Sequence, residues 1–387
     1  MKKLIAMTVI LSAFAGAVYA QGLSFGGYFN SGLGVISIED QDPTVRAFGV
    51  DSESNGYRFR FNGSYQNEER TAGFRFRLQS QRSVTGSVQD FYDDTYTFPI
   101  PLSIPFAYGF MNFFENKLNL NAGIVDDSAW QTADWWLNDD VGEGLGVLVK
   151  LNNIIDGLSL GFGGYTISQR GGGDNNQLAR PINFTPALSD IKYVISGSYT
   201  MKDTFYIGGS FRTENTSGSQ TSSQFMGDFR LLAVEGLTAI VAVSLDNLQN
   251  FENAGNIVIS ETFAFKVNDE FNVGLNAVQF FYNRPTDLDP GFLFNLWGSY
   301  AFGDVIPRID LVYFIKGQSN TSQQYHRRGY AATANNNEIS VFSVRPSVRI
   351  NLDSRTHLEI GDVVHFNNNA GTNIMTNVFY VDFRWSF

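Results

Sequence analysis

Two groups of residues in this 387-residue sequence could do chemistry together. The first lies between Asp126 and Glu143, where Asp126, Asp127, Asp134, Asp139, Asp140 and Glu143 occur without a lysine or arginine, interleaved with Trp130, Trp135 and Trp136. The second is Arg58, Arg60, Arg75 and Arg77, paired at a spacing of two within each of two short segments. Carboxylates facing guanidinium groups across a narrow water channel set up a transverse field, which orients dipolar solutes and weakly filters ions. Tryptophan in a solvated acidic loop would leave large rings and their N–H groups without partners, whereas a loop folded against a wall would bury them. The bland alternative is a solvated acidic loop, with arginines that pair with neighbouring carboxylates to stiffen a wall.

Catalytic readings find less support. His326, His357 and His365 show no H-E-x-x-H spacing, and a histidine at a barrel rim is usually solvated or interfacial. No Ser/His or Asp/His constellation can be assembled, so the expectation is not an enzyme. Gly171-Gly172-Gly173-Asp174 lacks the lysine of a phosphate cradle, and Asp287-Leu288-Asp289-Pro290 offers too few oxygens for calcium. No cofactor or metal is expected. A formal charge of −11 argues against nucleic acid as a partner.

The arginines must be positioned by strands. Tyr57 to Tyr65 and Ala72 to Gln79 flank a charged turn at Gln66–Arg70, and each segment alternates with a period of two. Phe59, Phe61, Phe74 and Phe76 fall on one face, and the four arginines fall on the other. The same alternation recurs along most of the chain, with more aromatic faces than one soluble core could stack. A sheet closed on itself in a bilayer resolves this, with rings toward lipid and arginines toward enclosed water. Arginine at the lipid midplane costs about 2–4 kcal/mol, so four of them fix the orientation.

Composition agrees with export and membrane insertion. Lys2 and Lys3 precede an apolar run from Leu4 to Val18, and Val18-Tyr19-Ala20 supplies a cleavage site, so residues 1–20 read as a signal peptide and 21–387 as one barrel domain. No cysteine is present, and charged residues make up only 17%. No window is long and apolar enough for a spanning helix.

Short polar turns at Gln66–Arg70, Glu115–Lys117, Asn152–Gly157, Met201–Thr204, Glu235–Gly236, Asn268–Glu270, Gly303–Val305 and Asp353–Thr356 alternate strictly with longer connections. The longer ones begin with Glu39–Asn55, Gln81–Leu102 and Asp126–Gly142. That asymmetry predicts an all-β transmembrane antiparallel barrel of sixteen to eighteen strands, with about eighteen the better count, short periplasmic turns and long outer loops. Arg212, Asp228, Arg230, Arg308, Asp310, Arg345, Arg349 and Arg384 would extend a polar lining around it.

Phe379, Val381, Phe383, Trp385 and Phe387 alternate with Tyr380, Asp382, Arg384 and Ser386. This resembles the C-terminal signal that the barrel assembly machinery reads in Gram-negative outer-membrane proteins. The acidic, tryptophan-bearing third connection is similar in position and residue type to that of the porin family. The resemblance implies a third loop folded into the lumen opposite wall arginines, contact with outer-membrane lipid, passive diffusion of small hydrophilic solutes or ions, and a homotrimer. The alternative is a surface barrel, an adhesin or receptor, whose loops Ser168–Asp190 and Gly317–Asn337 bind external partners.

Overall fold

A computed structural model describes residues 22–40, 42–48, 58–80, 102–126, 143–166, 191–214, 222–283, 290–315, 339–369 and 372–387. Antiparallel pairing runs from each strand to the next and from the last back to the first, closing a barrel of eighteen strands. In chain order these are β1 (Leu23–Ile38), β2 (Thr44–Phe48 with Arg58–Gln66), β3 (Ala72–Ser80), β4 (Leu102–Ser103 with Ala107–Phe113), β5 (Leu118–Asp126) and β6 (Glu143–Ile155). Then follow β7 (Leu158–Thr166), β8 (Ile191–Met201), β9 (Phe205–Glu214), β10 (Ser222–Leu231), β11 (Leu237–Asp246) and β12 (Gly255–Lys266). The last six are β13 (Phe271–Asn283), β14 (Gly291–Tyr300), β15 (Val305–Ile315), β16 (Ile339–Asn351), β17 (Thr356–Asn369) and β18 (Thr372–Ser386).

Two strands are interrupted. Both pieces of β2 pair with β1, at Gly32–Ile36 and at Leu23–Asn30, and both pieces of β4 pair with β3. The first long connection, expected over Glu39–Asn55, therefore contains a strand. Thr44-Val45-Arg46-Ala47-Phe48 is a run of strand-forming residues, but acidic and polar neighbours on either side mask its alternation.

The short turns are built by local hydrogen bonding. Between β2 and β3 the Asn67 carboxamide oxygen accepts from the backbone N–H of Thr71 and of Ala72, at 2.8 and 3.0 Å. That geometry is the side-chain turn at which Asn excels. Between β4 and β5, Phe114, Glu115 and Asn116 all take positive φ. In the β16–β17 turn the Asp353 carboxylate accepts from the backbone N–H of Arg355 at 2.6 Å. That bond, more than any other contact, holds the Asp353 acid below its ordinary value of 3.8.

Closure rests on the register of the end strands. Phe387 exchanges two backbone hydrogen bonds with Gly27, both 3.0 Å, and its ring stacks on Phe61 and tilts against Trp385. Sheet pairing then alternates the two faces all the way round. Outward side chains such as Leu33, Ile195 and Leu296 are more than half exposed, whereas inward Asn30, Leu293 and Val378 are fully buried.

Candidate functional site: the inner wall

Register fixes which residues line the interior. Arg60 lies opposite Tyr28 on one side and Gln79 on the other, and Arg77 and Arg75 lie opposite Asn62 and Ser64. Their partners are inward-facing too. Arg60 Nε donates to Gln79 Oε1 at 3.3 Å, and Arg77 Nε donates to Asn62 Oδ1 at 2.9 Å. Arg58 pairs with Asn30 in the ladder, and its side chain lies outside the described residues.

The guanidinium groups of Arg60, Arg75 and Arg77 each also lie on a ring. Arg60 and Arg384 sit over Tyr28 from opposite sides, at 5.2 and 4.5 Å from its centroid. Arg77 is 4.7 Å from the Phe106 ring and Arg75 is 5.5 Å from that of Phe110. Farther round, Arg230 lies 4.1 Å over Tyr206, and Arg308 lies 4.4 Å over Trp297. A planar cation on a π face gains electrostatic attraction and keeps its edge free for hydrogen bonds.

Several of the rings lie flat because the wall beneath them has no side chain. A Cβ built on Gly274 would come within 2.6 Å of Trp297 Nε1, and one on Gly73 within the same distance of Phe110 Cζ. Tyr380 covers Gly361 in the same way. Glycine here trades strand propensity for close approach.

Carboxylates are interspersed with the cations. Asp228 binds Arg230 at 2.6 Å, and Asp310 takes Arg308 in two bonds of 2.7 Å. Glu359 accepts from Arg349 at 3.3 Å and from the Tyr380 hydroxyl at 3.0 Å. Inward lysines and arginines nonetheless outnumber inward carboxylates among the described residues, as Arg60, Arg75, Arg77, Lys150, Lys192 and Arg212 show on β2 to β9.

The lining is not polar throughout, contrary to expectation. Toward the long-connection end the inward positions of β13 to β16 are Val278, Phe280, Leu293, Val312, Phe314 and Val341, packed as one buried cluster. A second cluster joins Phe106, Tyr108, Phe110, Val125, Leu148, Tyr165 and Val194 on β4 to β8. Stretches such as Leu311-Val312-Tyr313-Phe314-Ile315 are apolar on both faces, so period-two contrast gives no sign of them. His365 also departs from the solvated rim position expected of it. It is fully buried, with Nδ1 2.7 Å from the Ser343 hydroxyl.

Of the acidic third connection, Asp126 ends β5 and pairs with Glu143 at the start of β6, and neither side chain is described. Asp127, Trp130, Asp134, Trp135, Trp136, Asp139 and Asp140 lie outside the described residues. On the last strand Phe379, Phe383 and Trp385 face outward and are exposed by more than a third.

No family model matches the chain, and no curated protein sequence does. Solved structures do match. Pseudomonas aeruginosa OccK1 (OpdK) superposes with a TM-score of 0.58 at 10% identity, covering 94% of this chain and 99% of that one. Pseudomonas aeruginosa OpdQ gives 0.55 at 11% identity over 94% and 98%, and Acinetobacter baumannii OccAB4 gives 0.53 at 11% over 95% and 99%. The fold is that of the Opd/Occ outer-membrane porins. At such identities the likeness extends to barrel architecture and strand number, and side-chain roles must be argued from this chain.

Proposed function

We propose that this barrel is an outer-membrane porin, exported by a cleaved signal at residues 1–20, through which small hydrophilic solutes or ions diffuse passively. The observation that carries the reading is the row of guanidinium groups on the inner wall, Arg384, Arg60, Arg77 and Arg75, each laid on an aromatic ring. Four neighbouring cations would be costly to enclose in anything but water. The outward face, with Phe59, Phe61, Phe74 and Phe76 on β2 and β3 and Phe379, Val381, Phe383 and Trp385 on β18, suits acyl chains.

The third connection narrows the pore in this reading. It leaves β5 beside Val125 and returns to β6 five residues before Leu148, both members of the apolar patch on the inner wall. That patch supplies a surface for Trp130, Trp135 and Trp136, and would bring Asp127, Asp134, Asp139 and Asp140 opposite the arginine row. The wall then attracts anions while the loop opposes them, and the field runs across the bore. Assembly into homotrimers and recognition by the barrel assembly machinery through Phe379, Phe383, Trp385 and Phe387 belong to the same reading.

The test is conductance in planar bilayers, with reversal potentials measured in a salt gradient, before and after deletion of Ala129 to Leu137. Deletion raises conductance and moves the reversal potential toward anion preference, because the cationic wall loses its opposing charge. A sealed barrel would refute the pore, and unchanged conductance and selectivity after deletion would remove the loop from it.

A further inference from the structure

Away from the arginine row, the inner wall of β11 to β15 carries a cavity of different chemistry at its short-turn end. Register sets two neighbouring inward rungs there. One runs Thr238, Ala264, Gly274, Trp297, Asp310, and the next, nearer the turns, runs Lys266, Asn272, Ser299, Arg308. Ala264 and Gly274 leave the middle of the first rung almost without side chain. The Trp297 indole spreads over that gap with Nε1 above Gly274, and Arg308 lies over the ring 4.4 Å from its centroid. Residues of both rungs, from Thr238 to Arg308, line a cavity of about 260 Å³.

The charges around this cavity cancel locally. Arg308 donates to Asp310 in two bonds of 2.7 Å, the Asn295 carboxamide adds a third bond to the same carboxylate at 3.2 Å, and Lys266 is paired with Asp269 at 2.7 Å. The groups left over are uncharged. Among the described residues, the side chains of Thr238, Asn272 and Ser299 make no hydrogen bond, and neither does the indole N–H of Trp297. A hydroxyl and a carboxamide each both donate and accept. An anion would use only the donors and a metal ion only the acceptors, whereas a ring of hydroxyl groups uses both.

We propose that this cavity binds one neutral sugar ring, a polyhydroxylated solute on its way through the bore. The proposal rests on the porin reading, to which it adds a solute class. The volume falls just below the ~300 Å³ at which small-molecule sites begin, so a single ring fits and a chain of rings does not. Solute hydroxyls exchange bonds with Asn272, Ser299 and Thr238, and the indole N–H and the remaining Arg308 N–H groups supply further donors. Arg308 is held for this by Asp310 on its edge and Trp297 on its face. Water serves the same groups when no solute is present, so binding is weak. Weak binding suits transit, because a solute must leave as readily as it enters.

The full chain in planar bilayers is titrated with D-glucose, and the half-blocking concentration is read from the current. Glucose blocks the parent in a saturable way, whereas permethylated glucose, with the ring but no O–H, does not. N272A/S299A still conducts and raises the half-blocking concentration by about tenfold, the loss of one or two hydrogen bonds. T238V shifts it less, in the same direction. R60Q/R77Q, on another arc of the wall, moves the reversal potential and leaves the glucose titration where it was. Block that does not saturate, that permethylated glucose reproduces, or that persists unchanged in N272A/S299A and T238V overturns the proposal. A barrel that carries no current overturns the porin reading as well, whereas a conducting barrel indifferent to glucose overturns the sugar site alone.

Discussion

Replacing Gly361 with alanine should destabilise the barrel by unseating a ring on the neighbouring strand. Gly361 faces inward on β17 beneath Tyr380 of β18, which is 4% exposed. The new Cβ would overlap the Tyr380 hydroxyl and Cζ and lie 2.7 Å from Cε1, so the ring must leave its seat. Its hydroxyl then releases Glu359, to which it donates at 3.0 Å. At an unconstrained strand position glycine to alanine stabilises by about 0.5–1 kcal/mol. Here overpacking costs about 1–3 kcal/mol, and the lost bond to a carboxylate costs about 1.5–3 kcal/mol. The net for G361A is a loss of about 2–4 kcal/mol. Y380A opens the seat, and in that background G361A stabilises by about 0.5–1 kcal/mol, giving a coupling of about 2.5 kcal/mol or more. Urea unfolding of vesicle-refolded protein, followed by tryptophan fluorescence, measures all four members of the cycle. An equal cost of G361A with and without the Tyr380 ring would refute the reasoning.

Other outcomes follow from the same geometry. F76R places a guanidinium on the outward face and costs about 2–4 kcal/mol in vesicle unfolding, whereas N62R, on the inward face beside Arg77, costs far less. R60Q/R77Q removes two wall cations, so the reversal potential in a salt gradient moves toward cations with the fold intact. Asp353 has a folded-state acid constant below its unfolded one, chiefly because the Arg355 N–H binds the carboxylate, so its stabilisation is present above the ordinary aspartate value of 3.8 and is lost as pH falls through the folded value. D353N is therefore less stable than the parent at neutral pH, and the gap closes in acid. A gap that stays constant down to pH 2 would assign the effect to something other than ionisation.

Much of this architecture was legible because lipid and water impose opposite demands on alternate residues. Phe59, Phe61, Phe74 and Phe76 against Arg60, Arg75 and Arg77 left one orientation affordable, and the spacing of polar turns gave the strand number. The reading failed where both faces are apolar. Val312 and Phe314 sit inward beside outward Tyr313 and Ile315, and no period separates them. Thr44–Phe48 was hidden by acidic flanks, although its pairing with β1 is regular. The rings beneath the arginines were also out of reach, because the seat for Trp297 is Gly274 on the neighbouring strand, and a glycine announces no partner in sequence. His365 was misjudged for a related reason: its position near a strand end suggested solvent, while the inward face at that level is enclosed.

Rings seated on glycine have a consequence for how such a channel could vary. The calibre of the bore at Trp297, Phe110 and Tyr380 is governed from behind, by positions 274, 73 and 361, which no passing molecule need touch. A single methyl group at 274 or 73 would lift an indole or a phenyl ring inward and shift the cation resting on it. In the porin reading, permeability can therefore drift through substitutions that leave every lining side chain unchanged.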